Sequence, residues 1–573
     1  MSLTKTIHIK RGSSYAVTWR KYEHRKTLAW VRGSILLDNK FYREDSFPSP
    51  LSKIATLLDH KNSEGLSSYL RQLNGFFAVV VQNDQAVFAA VDRVRSIPLF
   101  YGQAKGQVFL SDEAEWVRQS IGDSEVNSVA RQEFLFAGYV TGRETLFPRV
   151  CQLQAGEYLL ITRNEDVGFK LQTQRYYRFL PTEPKGSINE EALLAELDAV
   201  SEKSVQRLID YATGRQIVVP LSGGYDSRLI TVLLKRLKYD NVLTFSYGVP
   251  GNRESAISKD VAAYLNYKWV FVRYSRRLWR KWWESEERMN YQRWASNWTS
   301  LPHLQDWPAV WILKEKGYIH KDAVFVPGHT SVMRKQVDMV DCLVKDGRLK
   351  TSDIFFHALC ACHYNLLSAA HNQISTLFKD KVRLIMCGIE CKGIDEIAGA
   401  LDSWTWQERQ AKFIINSVRA YEFWGFDWYL PLWDRELMSY WKKIPLSLRI
   451  NKILYKKFVN AIYAEQRNQI NNKQGIQVCK MTSNNSEQET PEHFFIRALK
   501  SLPSRHKDII RRMVLPISIV LRYINEPLAF YGRYSKLDYV KFSLKGYSAV
   551  GLSAYSFIKE VSRHSRDENN NSR

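Results

Sequence analysis

An apolar run, Ile217 to Leu221, ends in Ser222-Gly223-Gly224-Tyr225-Asp226-Ser227 and passes at once into the helical pattern of Ser227 to Leu237. A strand that stops on glycines and re-enters as a helix constrains everything around it. The chain then repeats the alternation, with a second strand over Val242 to Tyr247, a helix over Ala256 to Leu265 and a third, buried strand over Val324 to Pro327. Such alternation builds a parallel sheet through right-handed crossovers.

The turn has the chemistry of an anion site. Two glycines let the backbone close on a phosphate, while Ser222, Ser227 and the free amides of a helix N-terminus offer donors where the helix dipole favours negative charge. Asp226 alone would repel a polyphosphate, so its expected role is to hold Mg²⁺ against one. The competing reading is a plain strand-to-helix turn with Gly and Asp present for geometry and capping. A Walker loop is excluded, because no Gly-Lys-Ser/Thr follows at the required spacing.

Before residue 180 the texture is different. Short apolar runs broken by Gly, Asn and Asp, such as Phe76 to Val81, Gln85 to Val91 and Gly156 to Thr162, predict an antiparallel sheet domain over 1–180. The stretch Thr182 to Gly186, with turn chemistry at Pro181 and Pro184, separates it from a helix over Glu190 to Tyr211 and a second domain over 190–465. Helical periodicity over Trp404 to Trp424 and Asp434 to Trp441 makes the later part mainly α. A polar stretch within 466–492 reads as a mobile loop, and 493–573 as a basic helical extension with a disordered tail from Arg566.

Composition excludes several classes. A 573-residue chain with 45% hydrophobic and 13% aromatic residues buries large cores. The net charge of +23 suggests nucleic acid, yet Arg276 to Lys281 and Lys452 to Lys457 interleave with apolar residues as on amphipathic helices, and no specific nucleic-acid partner is expected. Seven cysteines without disulfide or zinc spacing predict a reducing, cytoplasmic compartment, with Cys360-Ala361-Cys362-His363 on a buried helix. No stretch reaches the roughly 20 apolar residues of a membrane helix, and Met513 to Val520 reads as a buried or interfacial helix.

Ser-Gly-Gly-x-Asp-Ser after a strand resembles the pyrophosphate loop of the asparagine synthetase, β-lactam synthetase and lasso-peptide cyclase group. The likeness continues through Thr244-Phe245-Ser246-Tyr247-Gly248-Val249-Pro250-Gly251, Glu422 to Phe426, Leu430-Pro431-Leu432-Trp433-Asp434 and Ile444-Pro445. In the N-terminal half, Leu73-Asn74-Gly75-Phe76-Phe77-Ala78, Asp92-Arg93, Ile97-Pro98-Leu99-Phe100-Tyr101, Gly138-Tyr139, Thr145-Leu146 and Gly156 look like the group's glutaminase-type sheet. The resemblance implies an α+β, Ntn-type glutaminase-like domain followed by an α/β parallel-sheet domain that binds ATP through the pyrophosphate loop, with a helical C-terminal lobe. It places Leu221 and Tyr247 against adenine and Ser222, Gly223, Gly224, Ser227 and Gly328 around the phosphates, with Asp226 as the Mg²⁺ ligand.

Three departures qualify the resemblance. Where glutamine-hydrolysing members carry a cysteine after the initiator Met, this chain reads Met1-Ser2-Leu3, which implies a glutaminase remnant without activity. The group's acidic Ser-Gly-(Asp/Glu)-Gly-x-Asp segment reads Pro327-Gly328-His329-Thr330-Ser331-Val332. His329 is expected to face the nucleotide as a catalytic donor to pyrophosphate, lowering the need for Mg²⁺ and losing effect above a pKa of roughly 6.5. Asp338 and Asp341 are either compensating carboxylates or surface residues of the next helix. Lys452, expected to stabilise charge during amine attack, stands one position from the group's catalytic lysine.

The implied reaction is adenylation of a carboxylate, with release of AMP and pyrophosphate and transfer of ammonia or an amine. Aspartate, a sugar carboxylate of a glycan, and a peptide or small amino acid closed on itself all fit. A homodimer is among the expectations. A worn family member serving as a binding protein, and an enzyme that adenylates an RNA base, stay open as alternatives.

Overall fold

The computed structural model describes residues 7–10, 12, 18–42, 49–164, 168–333, 335–347, 351–367, 379–389, 391–474, 519 and 523–571. Ser2, most of 466–492 and most of Met513 to Val520 lie outside them.

The N-terminal half is built in four layers. A sheet runs in the spatial order Gly168–Arg175, Glu157–Asn164, Ala86–Val91, Asn74–Gln82, Thr27–Leu37 and Trp19–His24, with Lys40–Tyr42 also paired to Thr27–Leu37. All its pairs are antiparallel. Strand alternation puts Val79, Val81, Phe88 and Ala90 on one face, packed under Leu51, Ile54, Leu58, Leu66 and Leu70 of the helices Ser49–Asp59 and Ser63–Gln72. Their neighbours Ala78, Val80, Val87 and Ala89 face the second sheet through Leu99, Tyr101, Val108 and Leu110. That sheet is ordered Ile7–Lys10, Gln107–Ser111, Phe100–Ala104, Cys151–Gln152, and helices Ala114–Ile121 and Ser128–Ala137 cover its far side. The antiparallel expectation needs one correction: Ile7–Lys10 pairs in parallel with Gln107–Ser111.

The second half holds a five-stranded sheet in the spatial order Lys268–Arg273, Val242–Gly248, Ile217–Pro220, Val324–Phe325, Asp427–Trp428, parallel throughout. Ile217, Val218 and Val219 are fully buried, as befits a strand covered on both faces. Pro220 is tolerated in this central strand because the ladder to Val324–Phe325 ends at Val218, so no partner there needs its missing N–H. Two strands were not anticipated. Lys268–Arg273 is an edge strand with exposed ends, and Asp427–Trp428 has only two residues, too few for a periodic signal. Val324 to Pro327, expected third, is fourth in chain order and shortens to Val324–Phe325.

Beyond the sheet, the expected helical run over Trp404 to Trp424 divides into the α-helix Ile394–Trp404, a π-helix Thr405–Ile414, a 3₁₀ turn Ile415–Val418 and the α-helix Arg419–Phe423. Residues 466–474, expected in a loop, continue the helix Ile453–Gln474, and the tail expected to be disordered lies in the helix Ala549–Asn571 up to its last residue. One hydrophobic cluster runs from Ile7 through Val218 to Phe458, so both halves share a core. Some of the basic residues lie inside, where Arg32, Arg207, Arg288, Arg419 and Arg449 are buried and paired with carboxylates. Among the described residues, no helix is long and apolar enough to cross a membrane.

Candidate functional site

Chain order runs outward from Ile217–Pro220 through Val242–Gly248 to Lys268–Arg273, then reverses to Val324–Phe325 on the other side. In an open parallel sheet the crevice beyond the carboxyl ends of the strands, at such a reversal, is where ligands bind. Ser222 to Ser227 and Pro327 to His329 follow the two strands that meet there.

The loop is held open by its own serines. Ser222 N donates to Ser227 Oγ at 3.2 Å, the two hydroxyls lie 3.3 Å apart, and Gly224 N donates to Ser222 Oγ at 3.1 Å. The helix Tyr225–Arg236 has Gly224 as N-cap and no capping side chain. Its first amides are therefore free for an anion. Gly328 crosses this helix start so closely that a Cβ there would lie 2.9 Å from Ser227 N. Leu221 is buried beneath the loop.

Asp226 faces a neighbour on each carboxylate oxygen. Its Oδ1 accepts from Tyr455 Oη at 2.8 Å, and its Oδ2 faces Lys452 Nζ at 3.8 Å. Burial pushes the carboxyl upward, opposed by Lys452 and the Tyr455 hydroxyl. Lys452 reaches this place through two consecutive left-handed residues, Asn451 at φ 54° and Lys452 at φ 55°. Non-glycine residues of this kind cost roughly 1–3 kcal/mol each and persist where their surroundings dictate them. Here Asp338 supplies the constraint, accepting the Asn451 N–H on Oδ1 at 2.7 Å. Asp341 instead pairs with Lys345 at 2.7 Å. Neither carboxylate is placed as a phosphate-side metal ligand.

A second group of polar residues adjoins the loop. Asp306 accepts from Tyr421 Oη at 2.7 Å and Tyr247 Oη at 3.4 Å, and His303 Nε2 lies 2.9 Å from it. Burial alone would raise this carboxyl, but the His303 and Tyr421 hydrogen bonds and the nearby imidazoles hold it down at about 2. Tyr247 stacks on Tyr274 with ring centroids 5.1 Å apart. His329 Nε2 is 3.2 Å from Ser417 Oγ, and its Nδ1 is buried with no hydrogen-bond partner. Burial lowers the imidazole to about 4, so it is neutral where the sequence reading required a titration near 6.5. Val332 is buried.

Lys452, Gly328 and the Ser222 to Ser227 loop are thus brought together, with His329 on the adjoining wall and Tyr247 tied to Asp306. Sequence reasoning missed Tyr455, Asp306 and Ser417, and it singled out Asp338 without its contact to Asn451. Tyr455 follows Lys452 by one helical step, the only signal among them. Cys360 and Cys362 are buried on the helix Thr351–His363, as expected, and His363 is held between Tyr139 Oη and Thr405 Oγ1 at 3.1 Å each.

Comparison with known proteins gives two domain matches. Residues 48–177 match a glutamine amidotransferase domain, and residues 196–285 match asparagine synthase. No curated protein matches the chain. Similar solved structures include an NH3-dependent NAD synthetase from Campylobacter jejuni subsp. jejuni NCTC 11168, 14% identical over 30% of this chain and 65% of that one with a TM-score of 0.18. Another is a glutamine phosphoribosylpyrophosphate amidotransferase from B. subtilis, 10% identical over 54% of this chain and 64% of that one, also with a TM-score of 0.18. The chain spans less than two thirds of either structure. Along this chain a glutamine amidotransferase match is followed by an asparagine synthase match, an order consistent with the architecture of the asparagine synthetase family.

Proposed function

We propose that the protein is an ATP-dependent carbon–nitrogen ligase that adenylates a carboxylate, releases pyrophosphate and lets ammonia or an amine displace AMP. The observation that carries this reading is the uncapped helix start at Tyr225, framed by Ser222, Ser227 and Gly328, with Lys452 drawn to Asp226. Free amides and hydroxyls receive the departing pyrophosphate, and the ammonium lies beside the point where charge develops during acyl transfer. Leu221 and Tyr247 border the base. The carboxylate is that of aspartate, of a sugar acid, or of a peptide or small amino acid closed on itself.

ATP–pyrophosphate exchange with a panel of these carboxylates tests the reading. Exchange above background with one of them, abolished by Ser222→Ala/Ser227→Ala, is expected. No exchange with any of them, together with no ATP binding, overturns it. A second reading, a family member that binds nucleotide without turnover, is favoured by His329 and Val332 at the two positions where the group is acidic. It predicts ATP binding without exchange.

A further inference from the structure

The Mg²⁺ implied by the family fits this loop poorly. Mg²⁺ requires near-octahedral oxygen ligands at about 2.0–2.1 Å, of which the protein commonly supplies one or two carboxylates. The loop offers one carboxylate, Asp226, and both its oxygens are addressed, Oδ1 by Tyr455 Oη at 2.8 Å and Oδ2 by Lys452 Nζ at 3.8 Å. A dication bound to Oδ2 would share its immediate surroundings with that ammonium, and like charges so close are mutually unfavourable. His329, neutral and turned to Ser417, contributes no anionic oxygen, and Val332 contributes none. Asp338 is taken by the Asn451 N–H.

Resting on the nucleotide-binding reading, we propose that Lys452 is the resident cation of this loop, so that the phosphates of a nucleotide are neutralised here by its ammonium rather than by Mg²⁺ held on Asp226. The charges favour it. The helix N-terminus carries about half a positive charge, which a lone Asp226 carboxylate would outweigh, turning the loop repulsive to phosphate. Lys452 cancels that carboxylate and leaves the helix end in command. Its side chain keeps 16% exposure, and 3.8 Å is longer than a tight ion pair, so the ammonium has room to lean toward a phosphate without leaving Asp226. The left-handed Asn451–Lys452 pair, fastened by Asp338, holds the cation in place before any ligand arrives. His329, from which the sequence reading expected a reduced need for Mg²⁺, is not the group that supplies the charge.

Calorimetric titration of the full chain with ATP, once in EDTA and once in millimolar MgCl₂, tests this. The wild type is expected to bind with dissociation constants within about threefold of each other in the two buffers, and Lys452→Met to weaken by about tenfold or more in EDTA while recovering most of the loss with Mg²⁺. Lys452→Arg keeps the charge and is expected to stay Mg²⁺-independent. Inorganic pyrophosphate, used as a second probe, is expected to follow the same pattern. Wild-type binding that improves about tenfold or more with Mg²⁺ overturns the assignment while leaving the nucleotide reading intact, and it needs no variant to be seen. ATP binding absent in both buffers overturns the nucleotide reading and this assignment with it.

Discussion

Asp338 accepts the backbone N–H of Asn451 at 2.7 Å, and the next residue is Lys452, whose ammonium points at Asp226 across the crevice. A carboxylate on the helix Lys335–Asp346 thus positions a lysine it does not touch.

Asp338→Ala should therefore act on the proposed nucleotide site as well as on stability. Removing the acceptor leaves a strained turn without its hydrogen bond, a loss of about 1 kcal/mol in stability. It also frees Lys452, and ATP affinity is expected to fall about tenfold. Asp338→Asn retains an acceptor oxygen and should stay near wild type. Equal ATP affinity in Asp338→Ala and wild type by calorimetry would show that Lys452 does not depend on this contact.

Arg32 binds the two halves together from inside. It donates to Asp112 at 2.5 Å and to Glu422 at 2.9 Å, while Glu422 also accepts from Arg419 at 2.7 Å and from Trp428 Nε1 at 2.8 Å. Breaking a buried pair by removing one partner costs about 3–5 kcal/mol, because the other charge stays buried. Arg32→Met is expected to lose that much in urea unfolding, and adding Glu422→Gln should cost less than its effect in the wild type. Strict additivity of the two substitutions would refute the coupling.

How much of this was legible in the sequence depends on range. Strand, glycine turn and helix over 217–236 are local, and the structure places them within two residues of expectation. The strands Lys268–Arg273 and Asp427–Trp428 were not legible, because an edge strand with polar ends and a two-residue strand carry no period. In the site, the Ser222 to Ser227 turn between strand and helix was legible from the local pattern, and its assignment to pyrophosphate came with the resemblance. Lys452 was placed through resemblance, and its approach to Asp226 depends on a left-handed pair that neither Asn451 nor Lys452 advertises. Asp338 owes its role to a partner distant in sequence, Asp306 joins the local His303 to the distant Tyr247 and Tyr421, and the neutral state of His329 arises from burial.

Gly328→Ala tests the close crossing at the helix start. The added methyl would sit 2.9 Å from Ser227 N and 3.3 Å from the Asp226 Cβ, the first of which is backbone and cannot swing away. Overpacking of this kind costs about 1–3 kcal/mol and here would push the Ser222 to Ser227 loop out of register. A measurable loss of thermal stability with weakened ATP binding is expected. An unchanged affinity would mean that the loop accommodates the methyl elsewhere and that Gly328 does not set its shape.

The pH dependence of stability should reveal two opposed buried groups. His329 is lowered by burial to about 4, so between 4 and its ordinary 6.5 the unfolded chain takes up a proton that the native state refuses. Its contribution is present above 6.5 and is lost as pH falls toward 4. Asp402 is raised by burial to about 6 despite the Arg449 guanidinium at 2.5 Å, and its Oδ1 has no hydrogen-bond partner. Between 3.8 and 6 the native state holds a proton that the unfolded chain releases, so this group's contribution falls as pH rises. The two slopes oppose each other over nearly the same window. Comparing urea midpoints from about pH 4.5 to 6, His329→Gln should turn the profile downward with rising pH relative to wild type, because Asp402 is left unopposed. Asp402→Asn, whose amide oxygen still accepts from Arg449, should turn it upward, because His329 is left unopposed. Parallel profiles for wild type and His329→Gln would mean that the imidazole is not held neutral by its surroundings, and His329 would then regain its candidacy as a charged donor beside the nucleotide loop.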